Sequence, residues 1–420
     1  MIRRETPHPV FSYLIYLGCL ISLCTVSFNW GSGRNVFFVA SYVAFLALAF
    51  NFKYYVRQKN LLWAPILFVT FGLGNILWVE AYKTPGEYIN LYRAVAVTGK
   101  MLIATGFVLL IALNERIEFK KLITPILIIL GVAMNSYGIY QSIGAKVLRS
   151  SLNYDLPTIA AYIITAIDIL MLYSLLQLKN KYKTILFAFA FLLSFVAIIH
   201  TETRAAILVF PIASIVMFSI SKNVNLKQKY TCYVSVFALI IISTFFMKNI
   251  IEKRVDAFRA DMNAHAALQG QNSIGSRISM IQVGLMVGNQ HIFGQSAEQR
   301  GNEMAELAKE YPALAGALPY AGVHLHNEII DNYSLRGIWG VILLISLHIS
   351  LLIVALRSQR NAALLALILS MILYGFSDVL FFSSEATAIF GLAVIFSVLI
   401  GNTSARMRLQ NSDNEKNADK

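Results

Sequence analysis

The chain has 420 residues, 57% of them hydrophobic and only 14% charged, with a mean hydropathy of +0.63 and a formal net charge of +13. A soluble domain carries about 25% charged residues and could not hide this much apolar surface, so a soluble fold is excluded and a bilayer must supply the apolar solvent. Alternating polar and apolar strands are absent, which excludes a membrane β-barrel; the Lys and Arg residues sit in short clusters between apolar runs, which excludes a nucleic-acid groove.

The pattern predicts an all-α membrane protein with about twelve spans. In chain order these are residues 10–28, 36–52, 61–81, 91–113, 122–142, 157–178, 184–200, 205–220, 230–248, 327–356, 361–379 and 385–402. Arg3 and Arg4 precede the first run in the manner of a signal peptide, but no small-residue cleavage site follows, so the run reads as an uncleaved first span. Cys19, Cys24 and Cys232 all fall inside apolar runs and read as small buried residues rather than disulfide partners or metal ligands. Arg336 and Gly337 interrupt the tenth run, which reads as a short helix bending into a longer one. Residues 1–402 form one polytopic domain in this reading, with a long loop at 249–326 between spans nine and ten; residues 403–420 read as a disordered tail.

Basic residues flank the cytoplasmic ends of membrane helices. With a cytoplasmic N-terminus, the inside segments hold Arg3, Arg4, Lys53, Arg57, Lys59, Arg116, Lys120, Lys121, Lys179, Lys181, Lys183, Lys222, Lys227, Lys229, Arg357, Arg360, Arg406, Arg408, Lys416 and Lys420. The short outer loops hold Arg34, Lys83, Arg93, Lys146, Arg149 and Arg204, so the bias is twenty to six. Both termini are therefore expected in the cytoplasm and the long loop in the periplasm, as in a bacterial inner-membrane protein. No GxxxxGK or GxGxxG element is present, which argues against ATP-driven transport by this chain.

Four places on the expected outer face carry chemistry. His200-Thr-Glu-Thr-Arg204 lies in a connection so short that Arg204 must sit at or just below the membrane surface, where an ionisable group is costly; the plain alternative is a snorkelling flank residue. In Gly275-Ser-Arg277, Ser276 is expected to cap a helix, putting Arg277 in its first turn, where the helix terminus and guanidinium both favour anions. His324-Leu-His326-Asn-Glu-Ile-Ile-Asp331 marks the return of the long loop, where an imidazole near neutrality suits acid–base work. No third ligand stands at diagnostic spacing, so no metal is expected. Asp378 lies late in span eleven, where a carboxylate can orient an imidazole or pair with an arginine. Lys100 and Asp168, inside runs, read as structural ion-pair members. Two arginines suit a diphosphate; His and Asp suit proton transfer. The substrate would be an amphiphile whose tail stays in lipid.

The chain resembles the bacterial O-antigen ligase family, within the O-antigen ligase/polymerase superfamily. His326-Asn327 is followed by nine residues and then Gly337 and Gly340, matching the ligase pattern His-Asn-x9-Gly-x-x-Gly. Arg204 falls in the family's arginine position between spans seven and eight. Gly275-Ser-Arg277 with Gly284 and Ile292-Phe-Gly294 resembles the loop motif, and Asp378 falls at a late functional aspartate. The resemblance implies a C-type glycosyltransferase architecture and transfer of an O-antigen glycan from undecaprenyl diphosphate to a sugar hydroxyl of lipid A–core oligosaccharide. It further implies an inverting reaction without ATP, metal or other cofactor. On it, Arg204 and Arg277 hold the diphosphate, His326 takes the acceptor proton and Asp378 orients a partner; Glu202, His324 and Asn327 stand beside them. The rival readings are an O-antigen polymerase or other lipid-linked-oligosaccharide transferase and, from a different class, a transporter of lipid-linked glycan. The glycan, the accepting core sugar and the oligomeric state are not written in these residues.

Overall fold

A computed structural model of the protein describes residues 6–56, 59–246, 273–357 and 361–401, with five further positions between 248 and 259. The expected tail at 403–420 and most of residues 249–272 of the long loop fall outside the described residues. Fourteen helices carry the fold. Nine form the first block: α1 Pro9–Val26, α2 Trp30–Phe50, α3 Trp63–Tyr82, α4 Ile89–Leu113, α5 Lys120–Ile143, α6 Pro157–Leu176, α7 Lys183–His200, α8 Arg204–Ile220 and α9 Leu226–Phe246. Two helices, α10 Ser273–Gln290 and α11 Ala297–Glu310, follow in the long loop, and α12 Glu328–Arg357, α13 Ala362–Gly375 and α14 Ser384–Gly401 return to the apolar layer. The protein is a multi-pass, all-helical membrane protein. Among the described residues nine helices are long and apolar enough to cross a membrane, and Arg204–Ile220 and Ala362–Gly375 are shorter apolar helices.

Three of the helices begin at a side-chain cap that the sequence offers. The Asn29 side chain accepts from the Ser32 N–H, that of Ser296 from Gln299 N–H, and that of Asn361 from Leu364 N–H, each satisfying an N–H that the helix itself leaves unpaired. Helix α6 is buried at every residue from Ala160 to Leu176, and α14 is buried almost as completely. A helix apolar all round belongs at the centre of its layer; α6 and α14 pack on each other and the remaining helices ring them. Asp168 on α6 accepts from Asn135 Nδ2 at 2.9 Å, and the same amide meets Ser194 Oγ at 3.2 Å, tying α5, α6 and α7 together. Asp168 is thus partnered by an amide rather than by the cation the sequence suggested, and Lys100 is exposed on α4.

Above this layer, α10, α11 and a 3-10 turn at Pro312–Tyr320 close a second small core around Met280, Val283, Val287, Met304 and Leu314. Its hinge on the membrane layer is the bend in α12. Gly337 has φ 66 and ψ −156, a conformation that only glycine adopts cheaply. A Cβ there would stand 2.1 Å from the Ile292 carbonyl oxygen. The bend is pinned by Ile338 N–H to Ile292 O at 2.8 Å, Gln295 N–H to Leu335 O at 2.9 Å, and the Trp78 indole N–H to Gln295 O at 3.0 Å. The expected short helix bending into a longer one is therefore present, and α12 consists of a half-helix, Glu328 to Arg336, ahead of the long segment. At Gly340 a Cβ would meet Arg336 Cβ at 2.8 Å and Asn332 O at 3.2 Å, so the second glycine lets the two segments close up.

The half-helix starts deep. Its first residue, Glu328, accepts from the Phe381 N–H at 2.8 Å, and the Phe381 ring meets Phe71 in the middle of α3 and His348 in the middle of α12. Its last turn lies at Trp78, near the outer end of α3. Seven residues of helix span ~10 Å, so residues 321–328 descend about that far between the helices before the chain turns back outward.

Candidate active site

At the bottom of this descent the chain places His324, His326 and Asp378 together, with their potential ligand atoms all within 4.8 Å of one another. His326 Nδ1 lies 3.1 Å from Asp378 Oδ1, and His324 Nδ1 lies 3.6 Å from the same oxygen. Asp378 sits in the short connection after α13, with Val379 N–H donating to Oδ1 at 2.9 Å and the Tyr162 hydroxyl to Oδ2 at 2.6 Å. Burial alone would raise the Asp378 carboxyl, but the His326 hydrogen bond, the nearby His324 and the Tyr162 hydroxyl outweigh it and hold the group well below the usual carboxylate range. An ionised carboxylate only accepts, so the hydrogen between it and His326 belongs to Nδ1, the arrangement in which a neutral imidazole presents its lone pair on Nε2.

His326 has φ 46, a left-handed conformation uncommon outside glycine. Its ring meets those of Tyr320 and His324 edge to face, at centroid distances of 5.1 and 4.5 Å. His326 lies nearer than His324 to the start of α12, which by chain position would make it the better fixed of the two. The structure differs on this point: the His324 side chain is 14% exposed and that of His326 26%, because His324 is wedged against Phe382 while His326 opens outward. Burial pushes His324 below the ordinary imidazole value, against the opposing pull of Asp378. The His324 Nδ1 also lies 3.4 Å from the His326 backbone N–H.

Asn327 caps the half-helix, its Oδ1 accepting from the Ile330 N–H at 3.1 Å while its Nδ2 reaches the Phe376 carbonyl at 3.4 Å. The residue after the histidine therefore aligns helix and site rather than facing a substrate. Behind it, Arg300 of α11 is fully buried and donates to Asp331 Oδ1 at 2.9 Å and to Ala321 O at 2.9 Å; Asp331 Oδ1 also accepts from Leu325 N–H at 3.1 Å. This pair holds both ends of the segment bearing the two histidines. Breaking one side of such a buried pair costs about 3–5 kcal/mol.

The arginines arrive from separate elements. Arg277 is exposed on α10, close enough to Tyr162 to act on it electrostatically. Ser276 is not a cap as expected: α10 already begins at Ser273, and Ser276 is buried within the helix. Arg204 opens α8 and is half-buried, while Glu202, two residues earlier, is buried with φ 53. That turn is fastened by Arg149 Nε to Thr201 O at 3.0 Å and by Ser150 N–H to His200 O at 2.9 Å. The Thr203 hydroxyl reaches Pro157 O at 3.5 Å, about one and a half helical turns from Tyr162.

The metal expectation rested on a missing third ligand, and Asp378, 52 residues beyond His326, fills that gap in space. By composition the trio could hold a cation, yet Asp378 Oδ1 already accepts two N–H donors. Beside the trio a cavity of ≈ 220 Å³ runs between α12 and α13, lined by Glu328, Ile329, Ile345, His348, Ile372 and Phe376 among others, almost wholly apolar. Tyr162, Glu328 and the Arg300–Asp331 pair escaped the sequence reading. Tyr162 is one aromatic in an apolar run, and Arg300 is one charge among many on a polar helix, so neither carried a signal.

A protein of Escherichia coli (strain K12) described as O-antigen ligase is 26% identical over 406 residues, covering 94% of this chain and 94% of that protein. The family described as O-antigen ligase matches residues 189–345, which include Arg204, Arg277, both histidines and the bend at Gly337. The chain is therefore similar to O-antigen ligases along nearly its whole length, and its resemblance to the family of that description is concentrated in the stretch that bears the two histidines and both arginines.

Proposed function

We propose that the protein joins an O-antigen glycan, carried on undecaprenyl diphosphate, to a sugar hydroxyl of lipid A–core oligosaccharide, by inversion at the anomeric carbon and at the periplasmic face. The observation that carries this reading is the ordered His326–Asp378 pair, with Tyr162 on the other carboxylate oxygen and Arg277 near enough to act on Tyr162. His326 Nε2 takes the proton of the acceptor hydroxyl as its oxygen bonds to the anomeric carbon. The bond from that carbon to the diphosphate oxygen breaks, and its electron pair leaves with the diphosphate. Arg204 and Arg277 bind the diphosphate and stabilise the charge that grows on it. Asp378 orients the imidazole and stabilises its protonated form. Glu202 shapes the Arg204 turn, and Asn327 and His324 support His326. The apolar cavity between α12 and α13 gives the chain of an amphiphile a place beside the reacting groups. No step calls for a metal, ATP or another cofactor.

The test is reconstitution of the full chain in liposomes with lipid-linked glycan and purified lipid A–core. The expected result is the joined glycolipid, formed at the same rate after exhaustive chelation. A glycan lengthened on its own lipid carrier would favour polymerase activity; glycan that crosses the bilayer unjoined would favour transport. Loss on chelation that zinc or magnesium restores would replace the metal-free mechanism.

A further inference from the structure

Tyr162 has a place in this site that neither the motif nor the two arginines account for. It projects from α6, the most enclosed helix of the fold, and its hydroxyl donates to Asp378 Oδ2 at 2.6 Å. The other oxygen, Oδ1, meets His326 Nδ1 at 3.1 Å and the Val379 N–H at 2.9 Å. The Tyr162 ring is itself held, its centroid 4.5 Å from that of Tyr374, and the Tyr374 hydroxyl is tied at 2.7 Å to Thr165, three residues along α6. The two carboxylate oxygens thus have separate partners, the imidazole and a backbone N–H on Oδ1 and the phenol on Oδ2. We propose that Tyr162 is a positioning residue for glycan transfer: its hydroxyl occupies Asp378 Oδ2, so that Oδ1 stays on His326 and holds its imidazole in place.

This proposal rests on the general-base reading of His326, and its test separates the two. Purified full-length chain in liposomes, carrying Tyr162→Phe, Asp378→Asn or both, is assayed in single turnover with lipid-linked glycan and lipid A–core. A hydrogen bond to a charged group contributes about 1.5–3 kcal/mol, so Tyr162→Phe is expected to slow turnover by roughly 10–100-fold. In the Asp378→Asn background the same change is expected to cost almost nothing further, because the residue acts through that carboxylate. Equal fold-losses in both backgrounds, or native turnover of Tyr162→Phe, would overturn the proposal. A reading independent of activity is the ¹⁵N spectrum of His326: Tyr162→Phe should lower the share of the Nδ1–H tautomer, and an unchanged tautomer would also overturn it. His326→Ala is the control. If that variant turns over normally, the general-base reading fails; if it is dead while Tyr162→Phe is native, only the role of Tyr162 fails.

Discussion

The two histidines differ in what their neighbours leave them to do. His324 is the more enclosed, spends its Nδ1 on the His326 backbone N–H and is kept below the ordinary imidazole value by burial. His326 makes the closer contact with Asp378 and opens toward Tyr320. A general base typically contributes ~10²–10⁴-fold, so His326→Ala should raise the barrier by about 3–5 kcal/mol. His324→Ala should cost far less, through a small loss of support for its neighbour. Single-turnover rates of the purified variants at matched expression decide this, because a slow enzyme can still decorate cells given time. A dead His324→Ala beside a normal His326→Ala would exchange the roles; two active variants would move the base elsewhere, with Glu202 and Asp378 the first to examine.

At the scale of elements, the bend in α12 carries the site. It sets the half-helix at the depth of Phe381 and gives the 321–328 segment its way down and back. Gly337→Ala would force an L side chain into φ 66 and place a methyl against the Ile292 carbonyl. The backbone strain alone is about 1–3 kcal/mol, and relieving the contact must break the bond from Ile338 N–H. The variant should show a lower melting temperature in detergent and a larger loss of transfer than of folded protein; a native melting temperature with native transfer would mean that the bend is not needed. The twelve apolar runs and this interruption were legible because both are local: hydropathy marks a span, and Arg336-Gly337 inside one marks a break. The glycine spacing was legible as a pattern, and the structure supplies its reason in the close approach of the 292–295 turn. What could not be read was pairing across the chain. Arg300 meets Asp331, and Tyr162 meets Asp378 from 216 residues away. Ser276 failed as a cap because an earlier serine, Ser273, already lies in the helix.

For the whole molecule the question is which side of the membrane this site faces. Every residue of the proposed chemistry lies at one end of the bundle: Arg204 starts α8, Asp378 follows α13, and both histidines precede α12. Measured along α3, the half-helix begins about 10 Å below the level of Trp78, two residues after His326, so the trio is set down among the helices rather than on their rim. Such a placement suits a donor whose reacting bond joins a membrane-borne lipid to a large soluble glycan. The twenty-to-six distribution of Lys and Arg leads us to propose that this end faces the periplasm. Single cysteines test this in a background with Cys19, Cys24 and Cys232 replaced. Glu310 ends α11 and Lys181 precedes α7, both exposed and at opposite ends of the bundle. Glu310→Cys should be labelled by an impermeant maleimide on intact spheroplasts, and Lys181→Cys only after the membrane is opened. The reverse pattern would turn the protein over and place its site in the cytoplasm. Labelling of both on intact spheroplasts would mean that α7 does not cross the membrane.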